Sequence, residues 1–227
     1  MDNFRAYRID EKEGEIVAGF QELNVDYRTE GNVVVRVTHS TINYKDALAA
    51  TGKGKILRRY PLNGGIDFAG VVVSSEDADF QPGTEVLMNG CGLSETVDGG
   101  YSECARVDSQ GLVAVPEGMS CAEAMQIGTA GYTAALAIHR MEQNGLTPDL
   151  GPVVVTGATG GVGSIAIDML AGRGYEAAAV TGKAAEEAYL RDIGAQQILL
   201  RDQIDLGKRP MEKALWAGAI DNLGGDY

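Results

Sequence analysis

The chain has 227 residues, of which 44% are hydrophobic and 22% are charged, and its formal net charge is −13. This composition is ordinary for a globular protein with one large or two small domains. The acidic balance argues against binding to nucleic-acid phosphates or to an anionic membrane surface. The N-terminus lacks the apolar core of a signal peptide, and no apolar run could span a bilayer. Three scattered cysteines without a CxxC pair favour reduced thiols, so we expect a cytoplasmic protein.

The first half of the chain is rich in short strands and turns. Apolar runs bounded by Gly, Pro and Asp predict strands within residues 32–43, 65–73, 84–90 and 99–107. A short helix is predicted over 43–52, with Asn43 as its N-cap and Gly52 as its stop signal. Within it, Lys45 and Asp46 are expected to form a local ion pair.

The hydrophobic period changes at Ser120. A long helix is predicted over 120–145, with Glu123 at capping-box spacing from Ser120. Strands at 153–157, 177–182, 196–200 and 216–224 then alternate with helices that run through Leu170 and over 184–194. Such alternation predicts a parallel, doubly wound sheet. We therefore expect an α/β protein with a β-rich domain over 1–122 and a nucleotide-binding domain over 123–227.

The stretch VVVTGATGGVGSIAIDML, residues 153–170, predicts a strand, a glycine-rich turn and a helix. Free N–H groups at such a helix N-terminus, here those around Thr159, Gly160, Gly161 and Val162, favour a bound phosphate. A mononucleotide P-loop is excluded because no lysine follows the last glycine. A short-chain dehydrogenase is disfavoured because the loop lies far inside the chain and no tyrosine has a lysine four residues later. The remaining interpretation is a dinucleotide-binding loop inside a second domain.

The end of the second predicted strand of this domain indicates which dinucleotide binds. Proteins that select NAD usually place a carboxylate there, to bond the ribose 2′-hydroxyl. Here the strand ends in Thr181, Gly182 and Lys183, without a carboxylate. A hydroxyl, a backbone amide and an ammonium suit a 2′-phosphate, so we expect NADP(H). The alternative for Lys183 is an ordinary surface lysine in the first turn of a helix.

Six stretches carry a resemblance to a known family, in family order along the whole chain: INYKDALAATGKGKI, GIDFAGVV, IGTAGYTA, VVVTGATGGVGS, YLRDIGA and LWAGAIDNLGG. The chain resembles a medium-chain dehydrogenase/reductase of the zinc-free quinone-oxidoreductase branch. Within that branch it is most similar to the bacterial acrylyl-CoA reductase subfamily. The resemblance implies a GroES-like, β-rich catalytic domain followed by a Rossmann domain. The glycine loop is shared with many enzymes, whereas the first and last stretches are more specific.

The resemblance also implies roles for three residues. Tyr44 lies beside the cofactor in family members, where its hydroxyl could also position substrate or relay a proton to the α-carbon. Thr129 lies in a stretch that approaches the nicotinamide, and Arg201 is placed near the 2′-phosphate. The alternatives are packing roles for Tyr44 and Thr129.

Zinc-dependent members of the superfamily carry ligands at positions that correspond to Asn43 and Ile66. Neither side chain is a zinc ligand, since catalytic zinc needs about three His, Cys or carboxylate ligands. The resemblance therefore implies an enzyme without a metal. Without a Lewis acid, an activated alkene suits the site: hydride adds to the β-carbon and the carbonyl absorbs the charge.

The function expected from these features is NADPH-dependent reduction of the C=C bond of a short α,β-unsaturated acyl-CoA. The alternatives are an NADPH:quinone oxidoreductase and an NADPH-binding protein without useful turnover. A basic cluster favours the acyl-CoA, because coenzyme A carries several phosphate charges. Its members are Lys53, Lys55, Arg58 and Arg59, and a solvated loop is an equally good interpretation.

Two further expectations concern the substrate side and the end of the chain. Asn63-Gly64, before GIDFAG, favours a turn with positive φ.

Family members continue well past LWAGAIDNLGG, so the chain is expected to be truncated after the fourth strand of the Rossmann sheet. That strand would form an apolar edge. A homodimer is expected for the full-length protein.

Overall fold

The computed structural model describes residues 3–24, 30–204 and 214–225. The chain divides into two units, Met1–Thr129 and Ala130–Tyr227. This division falls after Thr129, within the long helical segment. The sequence analysis predicted a boundary after residue 122, in the same segment. No helix in the described part of the chain is long and apolar enough to cross a membrane. The cytoplasmic location and the homodimer stay predictions.

The first unit begins with a β-hairpin that the sequence analysis did not predict. It consists of β1 (Asn3–Lys12) and β2 (Glu15–Asn24), paired antiparallel. Glu13 and Gly14 form its two-residue turn with φ values of +53° and +84°. Positive φ at both positions matches the twist of the flanking strands. The hairpin was missed because Glu-Gly is a weaker turn signal than Asn-Gly and because β2 is mostly exposed.

The remaining strands of the first unit complete two antiparallel sheets. They are β3 (Val33–His39), β4 (Leu62–Asn63), β5 (Asp67–Ser75), β6 (Glu85–Asn89), β7 (Cys104–Val107) and β8 (Val113–Ala114). The strand orders are β2-β1-β4 and β7-β3-β5-β6-β8. Phe68, Val33 and Val86 lie in the core of the larger sheet with no exposed surface. This architecture confirms the β-rich, GroES-like class.

The first helix, α1 (Tyr44–Thr51), begins after Asn43 and ends at Gly52, as predicted. Gly52 takes the left-handed conformation with a φ of +68°. The predicted ion pair between Lys45 and Asp46 is wrong, because adjacent helical positions do not face each other. Asp46 instead accepts hydrogen bonds from the N–H groups of Asn43, at 2.8 Å, and Ile66, at 3.0 Å. Lys45 pairs with Glu95, whose carboxylate lies 2.9 Å from its ammonium nitrogen.

The predicted turn at Asn63-Gly64 is also wrong. Asn63 lies buried in β4, where its Oδ1 accepts a hydrogen bond from Arg8 at 3.0 Å and its N–H donates to Asp98 at 2.8 Å. The left-handed residue is Gly65, with a φ of +91°. A Cβ atom at Gly65 would lie 2.7 Å from the Tyr101 backbone nitrogen, so close packing against Tyr101 requires the glycine.

The long predicted helix forms as α2 (Cys121–Gln143), but it is interrupted at Gly128. Its start has the predicted capping box: the Ser120 N–H donates to Glu123 at 2.8 Å, and the Glu123 N–H donates to Ser120 Oγ at 3.2 Å. The expectation of a continuous helix is wrong because Gly128 has φ +50° and ψ −159°. The residue after this break, Thr129, turns its N–H to a side chain of the first unit, described below.

The second unit contains a four-stranded parallel sheet. Its elements are β9 (Val153–Val155), α3 (Gly161–Gly172), β10 (Ala177–Thr181), α4 (Glu187–Asp192), β11 (Gln197–Leu200) and β12 (Gly218–Ile220). The strand order β11-β10-β9-β12 is the 3-2-1-4 part of a doubly wound Rossmann sheet. The predicted helix over 184–194 is shorter, because residues 184–186 form a 3₁₀ turn before α4. The predicted Rossmann class is confirmed.

Candidate functional site

The glycine loop joins β9 to α3 in a tight turn. Gly157 has a φ of +58°, and its carbonyl oxygen accepts a hydrogen bond from the Gly160 N–H at 2.8 Å. A Cβ atom at Gly163 would lie 2.4 Å from the same oxygen. The loop therefore needs glycine at position 157 for its backbone conformation and at position 163 for the close approach of helix and strand.

The backbone at the start of α3 is accessible to a ligand. Gly160 and Gly161 are exposed, and Gly160 caps the helix without a side-chain hydrogen bond. The first N–H groups of a helix have no intrahelical partner, and the helix dipole favours an anion beside them. The Val162 side chain is partly buried against the core of this unit, and its backbone N–H is the polar group that Val162 offers to an anion. Thr159 is half-buried in the same turn.

The ends of β10 and β11 lie at the same edge of the sheet as the glycine loop. Ala179 pairs with Val155, and Thr181 pairs with Leu200, the residue before Arg201. The structure thus brings together the loop, Thr181–Lys183 and Arg201, which were predicted separately. The Lys183 N–H donates to the buried Thr181 Oγ1 at 3.0 Å, while the Lys183 side chain is exposed.

A polar contact that the sequence analysis missed fixes the loop against β12. Thr156 Oγ1 donates to Asp221 at 2.6 Å and accepts from the Asn222 N–H at 2.9 Å. The Asn222 amide also donates to the Thr156 carbonyl oxygen at 2.8 Å. These bonds join the carboxyl ends of two neighbouring parallel strands and hold the glycine loop at that edge.

In the first unit, polar side chains converge on the carboxylate of Asp67, which has no exposed surface. The Asp67 cluster comprises Asp67, Thr41, Asn43, Asn89 and Thr129. Asp67 Oδ1 accepts from Thr129 Oγ1 at 2.5 Å and from Asn89 at 3.0 Å. Oδ2 accepts from Thr41 Oγ1 at 2.5 Å, Asn43 Nδ2 at 2.9 Å and the Thr129 N–H at 3.1 Å.

These contacts decide the charge of Asp67. Burial alone raises the pKa of its carboxyl, but the hydrogen bonds from Thr129, Thr41, Asn89 and Asn43 outweigh that effect and hold the pKa below its usual value. The break in α2 at Gly128 also allows the Asp67 cluster to form. A Cβ atom at Gly128 would lie 2.7 Å from Thr41 Cγ2 and 3.3 Å from Asp67 Oδ2. Gly128 thus lets Thr129 approach the carboxylate with both its N–H and its hydroxyl.

Asn43 and Ile66, at the positions that correspond to ligands in zinc-dependent members of the superfamily, have other roles in this structure. Asn43 donates both protons of its amide, to Asp67 and to Thr41 Oγ1 at 2.7 Å. Ile66 is buried and has no ligating atom in its side chain. Among the residues that the structure describes, no group of three His, Cys, Asp or Glu side chains is arranged to hold a metal ion. Metal independence stays a prediction, which we base on these side chains.

Tyr44, the first residue of α1, is 80% exposed, and nearby Ile42 is 90% exposed. A packing role in the core of the first unit is therefore wrong for Tyr44. These two large exposed side chains, two positions apart, leave an apolar surface that a ligand can cover. The assignment of Tyr44 and Thr129 to the cofactor stays a prediction from the family resemblance.

A groove of about 550 Å³ lies in the first unit between the hairpin, the end of β3 and α1. Aromatic rings line it: Tyr7 meets Phe20 at 5.3 Å and Tyr101 at 6.3 Å between ring centroids, both edge to face. The Tyr101 hydroxyl donates to the Thr41 carbonyl oxygen at 2.8 Å. Burial, together with the nearby carboxylates of Asp46 and Asp67, raises the pKa of Tyr101. The groove is suited to an apolar ligand segment.

The basic cluster after α1 is only partly available to a ligand. Lys53, Lys55, Arg58 and Arg59 are all exposed. Arg58 lies 3.5 Å from the Glu95 carboxylate, which also pairs with Lys45. Within the described ranges, Lys53, Lys55 and Arg59 have no ion pair. The structure therefore leaves three of the four predicted side chains for phosphate.

A larger groove of about 720 Å³ lies in the second unit, lined by residues such as Ile138, Met169, Arg173 and Ile193. It lies beside the C-terminal end of α3, whereas the glycine loop is at the N-terminal end. Twelve helical residues separate the two ends, which is roughly 18 Å. This groove is not part of the candidate dinucleotide site.

Comparison with known proteins places these features in a family. The profile of the alcohol dehydrogenase GroES-like domain matches residues 29–117. The chain is 47% identical over 220 residues to "Probable acrylyl-CoA reductase AcuI" of Escherichia coli (strain K12), an alignment that covers 97% of this chain and 68% of that protein. The chain thus spans about two thirds of the relative's length.

Two solved structures have the same fold. The yhdH oxidoreductase of Salmonella enterica, in complex with NADP, superposes with a TM-score of 0.93 at 49% identity, covering 97% of this chain and 68% of that one. The yhfP protein of Bacillus subtilis, with NAD bound, superposes with a TM-score of 0.94 at 43% identity, covering 99% and 68%. The yhfP protein has a provisional quinone-oxidoreductase name. The chain belongs to the medium-chain dehydrogenase/reductase family of oxidoreductases, in the branch of the quinone oxidoreductases and acrylyl-CoA reductases.

Sequence reasoning missed the central residue of the first unit. Asp67 was read only as part of GIDFAG, and its partners Thr41 and Asn89 were not singled out. A charged residue between apolar neighbours of a predicted strand was the available signal, because buried carboxylates are normally paired or hydrogen-bonded. Its partners come from three separate segments, around residues 41–43, 89 and 129, and only the tertiary structure brings those together.

Proposed function

We propose that this chain is an NADPH-dependent reductase of the C=C bond of a short α,β-unsaturated acyl-CoA. The single observation that carries the proposal is the absence of a carboxylate where β10 ends, at Thr181, beside the glycine loop. The 47% identity to a probable acrylyl-CoA reductase supports the substrate class. When bound, NADPH supplies the hydride that adds to the β-carbon of the substrate.

The residues of the second unit fit the phosphates of a dinucleotide. The exposed backbone of Gly160 and Gly161 and the start of α3 offer N–H groups to the pyrophosphate. The glycines at positions 157, 160, 161 and 163 have no side chains that could cover this backbone. Thr156, held by Asp221 and Asn222, keeps this loop fixed while the ligand binds.

The preference for NADPH over NADH rests on Thr181, Gly182, Lys183 and Arg201. Lys183 is exposed where β10 ends, and Arg201 follows the strand that pairs with β10. Two cations beside one strand end favour the 2′-phosphate by charge-assisted hydrogen bonds. Solved relatives hold NADP in one case and NAD in another, so we assign the preference to these side chains rather than to the shared fold.

The first unit supplies groups for the substrate. The aromatic groove suits the apolar part of a thioester, and Lys53, Lys55 and Arg59 suit the phosphates of coenzyme A. Exposed Tyr44 is the candidate for contact with the cofactor and for positioning the substrate. Its hydroxyl is also the candidate that holds the proton for the α-carbon.

Quinone reduction is the second candidate, supported by the provisional quinone-oxidoreductase name of the relative at 44% identity. A quinone has no phosphate, so the basic cluster distinguishes the two substrates. We expect the triple variant Lys53→Ala, Lys55→Ala, Arg59→Ala to raise the KM for acrylyl-CoA several-fold and to leave the KM for benzoquinone unchanged. Arg58→Ala is the control, because Arg58 is the one member of the cluster that lies beside a carboxylate, at 3.5 Å from Glu95 among the described residues.

Steady-state assays with NADPH and each substrate decide between these functions. A higher kcat/KM for acrylyl-CoA, together with a selective effect of the triple variant, would support the proposal. A higher value for benzoquinone would support the second candidate. Tight NADPH binding without turnover of either substrate would support a binding protein.

A further inference from the structure

Two arginines of the first unit lie on the same face of its larger sheet, on the neighbouring strands β3 and β7. In the antiparallel register of these strands, Arg36 lies opposite Cys104, and Arg106 lies opposite Val34. Opposite residues share a face of the sheet, and so do residues two positions apart on one strand. Arg36 and Arg106 are therefore diagonal neighbours, whose Cα atoms are typically about 7–8 Å apart. Two side chains as long as arginine can contact one ligand from these positions.

Burial agrees with this placement of the arginine pair, Arg36 and Arg106. Val35 and Ala105, each adjacent in sequence to one of the arginines, belong to the buried core on the other face of the sheet. Arg36 is exposed and Arg106 is half-buried. On the other side of β3, the residue opposite Arg36 is Val71 of β5. The positions directly opposite the two arginines thus hold no carboxylate.

The charges of the arginine pair are not neutralised within the described ranges. Neither Arg36 nor Arg106 forms an ion pair there, whereas Arg5, Arg8 and Arg58 of the same unit each pair with a carboxylate. Carboxylates are plentiful, since the chain has 32 acidic and 19 basic residues. Two neighbouring guanidinium groups without a counter-charge repel each other. An anion bound between them would remove this repulsion.

Arg106 also has a buried hydrogen-bond donor without an acceptor. Its Nε atom is enclosed by the protein and has no hydrogen-bond partner. Native structures rarely leave a buried donor unsatisfied, and a water molecule or an ion is a common explanation where they do. The Nε and Nη groups of arginine form a fork that fits two oxygens of one oxyanion. The orphaned Nε of Arg106 is half of such a fork.

We propose that Arg36 and Arg106 form a binding site for a phosphate group, either free phosphate or a phosphomonoester. Charge favours phosphate over a carboxylate, because a phosphate group carries close to two negative charges at pH 7 and a carboxylate carries one. The fork of Arg106 binds two phosphate oxygens, and Arg36 binds a third. The site shares no residue with the glycine loop or with the basic cluster after α1. The proposal therefore does not depend on the proposed function.

The test is an NMR titration with inorganic phosphate at constant ionic strength, which follows the Nε–Hε signal of Arg106. We expect a saturable shift of this signal. Acetate, an oxyanion with a single charge, is expected to bind at least roughly 10-fold more weakly, the effect of one charge-assisted hydrogen bond. Methyl phosphate distinguishes the sources: a response to both phosphates supports a phosphomonoester, and a response to inorganic phosphate alone supports free phosphate.

Variants then assign the binding to the arginine pair. Arg36→Gln removes one charge at an exposed position and is expected to raise the dissociation constant of phosphate about 10-fold or more. Arg106→Lys keeps the charge, but it lacks the fork and is expected to lose binding to a similar extent. Arg140→Gln, at an exposed position of α2 in the second unit, is the matched control and is expected to keep the wild-type constant.

Chemical unfolding with and without phosphate gives a second readout, because a ligand that binds only the folded chain stabilises it. Phosphate is expected to stabilise the wild-type chain and Arg140→Gln more than Arg36→Gln or Arg106→Lys. A shift of the Arg106 signal that increases without saturation would indicate screening alone and would overturn the proposal. Equal dissociation constants for the wild-type chain and Arg36→Gln would also overturn it, and so would equal binding of acetate and phosphate.

Discussion

Gly163, in the first turn of α3, faces the carbonyl oxygen of Gly157 so closely that a Cβ atom would lie 2.4 Å from it. Real Cβ atoms do not approach backbone oxygen at that distance, so an added methyl group must push the helix away from the strand. Gly172, at the other end of α3, has nothing within 4 Å of its Cβ position. The same substitution at the two positions is therefore expected to act in opposite directions.

Gly163→Ala is expected to lower the free energy of unfolding by about 1–3 kcal/mol through overpacking, and to weaken NADPH binding. Gly172→Ala is expected to raise the free energy of unfolding by up to about 1 kcal/mol, because alanine reduces the entropy of the unfolded chain. Urea unfolding of both variants, with NADPH titration, measures the difference. Equal stability of the two variants would show that the loop relaxes without strain.

Lys183→Glu is expected to weaken NADPH binding at least tenfold and to leave NADH binding nearly unchanged. The substitution removes a cation and adds a carboxylate at the end of β10, where an acidic residue bonds the ribose 2′-hydroxyl in NAD-selective proteins. Isothermal titration with both dinucleotides measures the two affinities. Lys12→Glu, an equal charge change at an exposed residue of β1, is the control. If Lys183→Glu behaves like Lys12→Glu, then Lys183 is an ordinary surface lysine.

Asp67→Asn is expected to lower the free energy of unfolding at pH 7 by at least about 2 kcal/mol, because donors to a buried carboxylate lose their ionised acceptor. The pKa of Asp67 is lowered in the folded protein. Its contribution to stability is therefore fully present above the unfolded pKa of about 3.9, and it is lost as the pH falls through the lower folded pKa.

The difference in unfolding free energy between wild type and Asp67→Asn should then be constant from about pH 7 to pH 5 and shrink below about pH 4. Chemical unfolding at a series of pH values measures it. Asp168→Asn, at an exposed position of α3, is the charge-matched control and is expected to change stability by less than about 0.5 kcal/mol at pH 7. A difference that grows as the pH falls would contradict the ionised state of Asp67.

Dialysis against a chelator is expected to leave turnover unchanged. The reason lies in the side chains: Asn43 donates its amide protons to Asp67 and Thr41, and Ile66 has no lone pair to offer. Metal analysis of the active protein accompanies the assay. Stoichiometric zinc whose removal abolishes turnover would contradict this prediction.

Much of the fold was predictable because local patterns and tertiary structure agree. The alternation after Pro152 predicted the parallel sheet, and the Ser120–Glu123 capping box predicted the start of α2. The break at Gly128 was not predictable from helical periodicity, since the apolar positions continue through it. It depends on a contact with Asp67, which is far away in the sequence.

The candidate site, like the fold, has a part that was predictable from the sequence and a part that was not. The glycine loop and the end of β10 were predictable, because both depend on residues that are adjacent in sequence. The Asp67 cluster was not, because Thr41, Asp67, Asn89 and Thr129 meet only through the pairing of β5 with β6 and the break in α2. The Lys45–Glu95 pair shows the same limit, since a neighbouring carboxylate on the helix was the expected partner.

The most direct test of the account follows the hydrogen that reaches the substrate. The chain is incubated with acrylyl-CoA and NADPH that carries two deuterium atoms at C4 of the nicotinamide, and the product is analysed by mass spectrometry and NMR. The account predicts propionyl-CoA with one deuterium at C3, the former β-carbon, at a rate that falls when NADH replaces NADPH. Recovery of unlabelled acrylyl-CoA, or deuterium at C2, would contradict it.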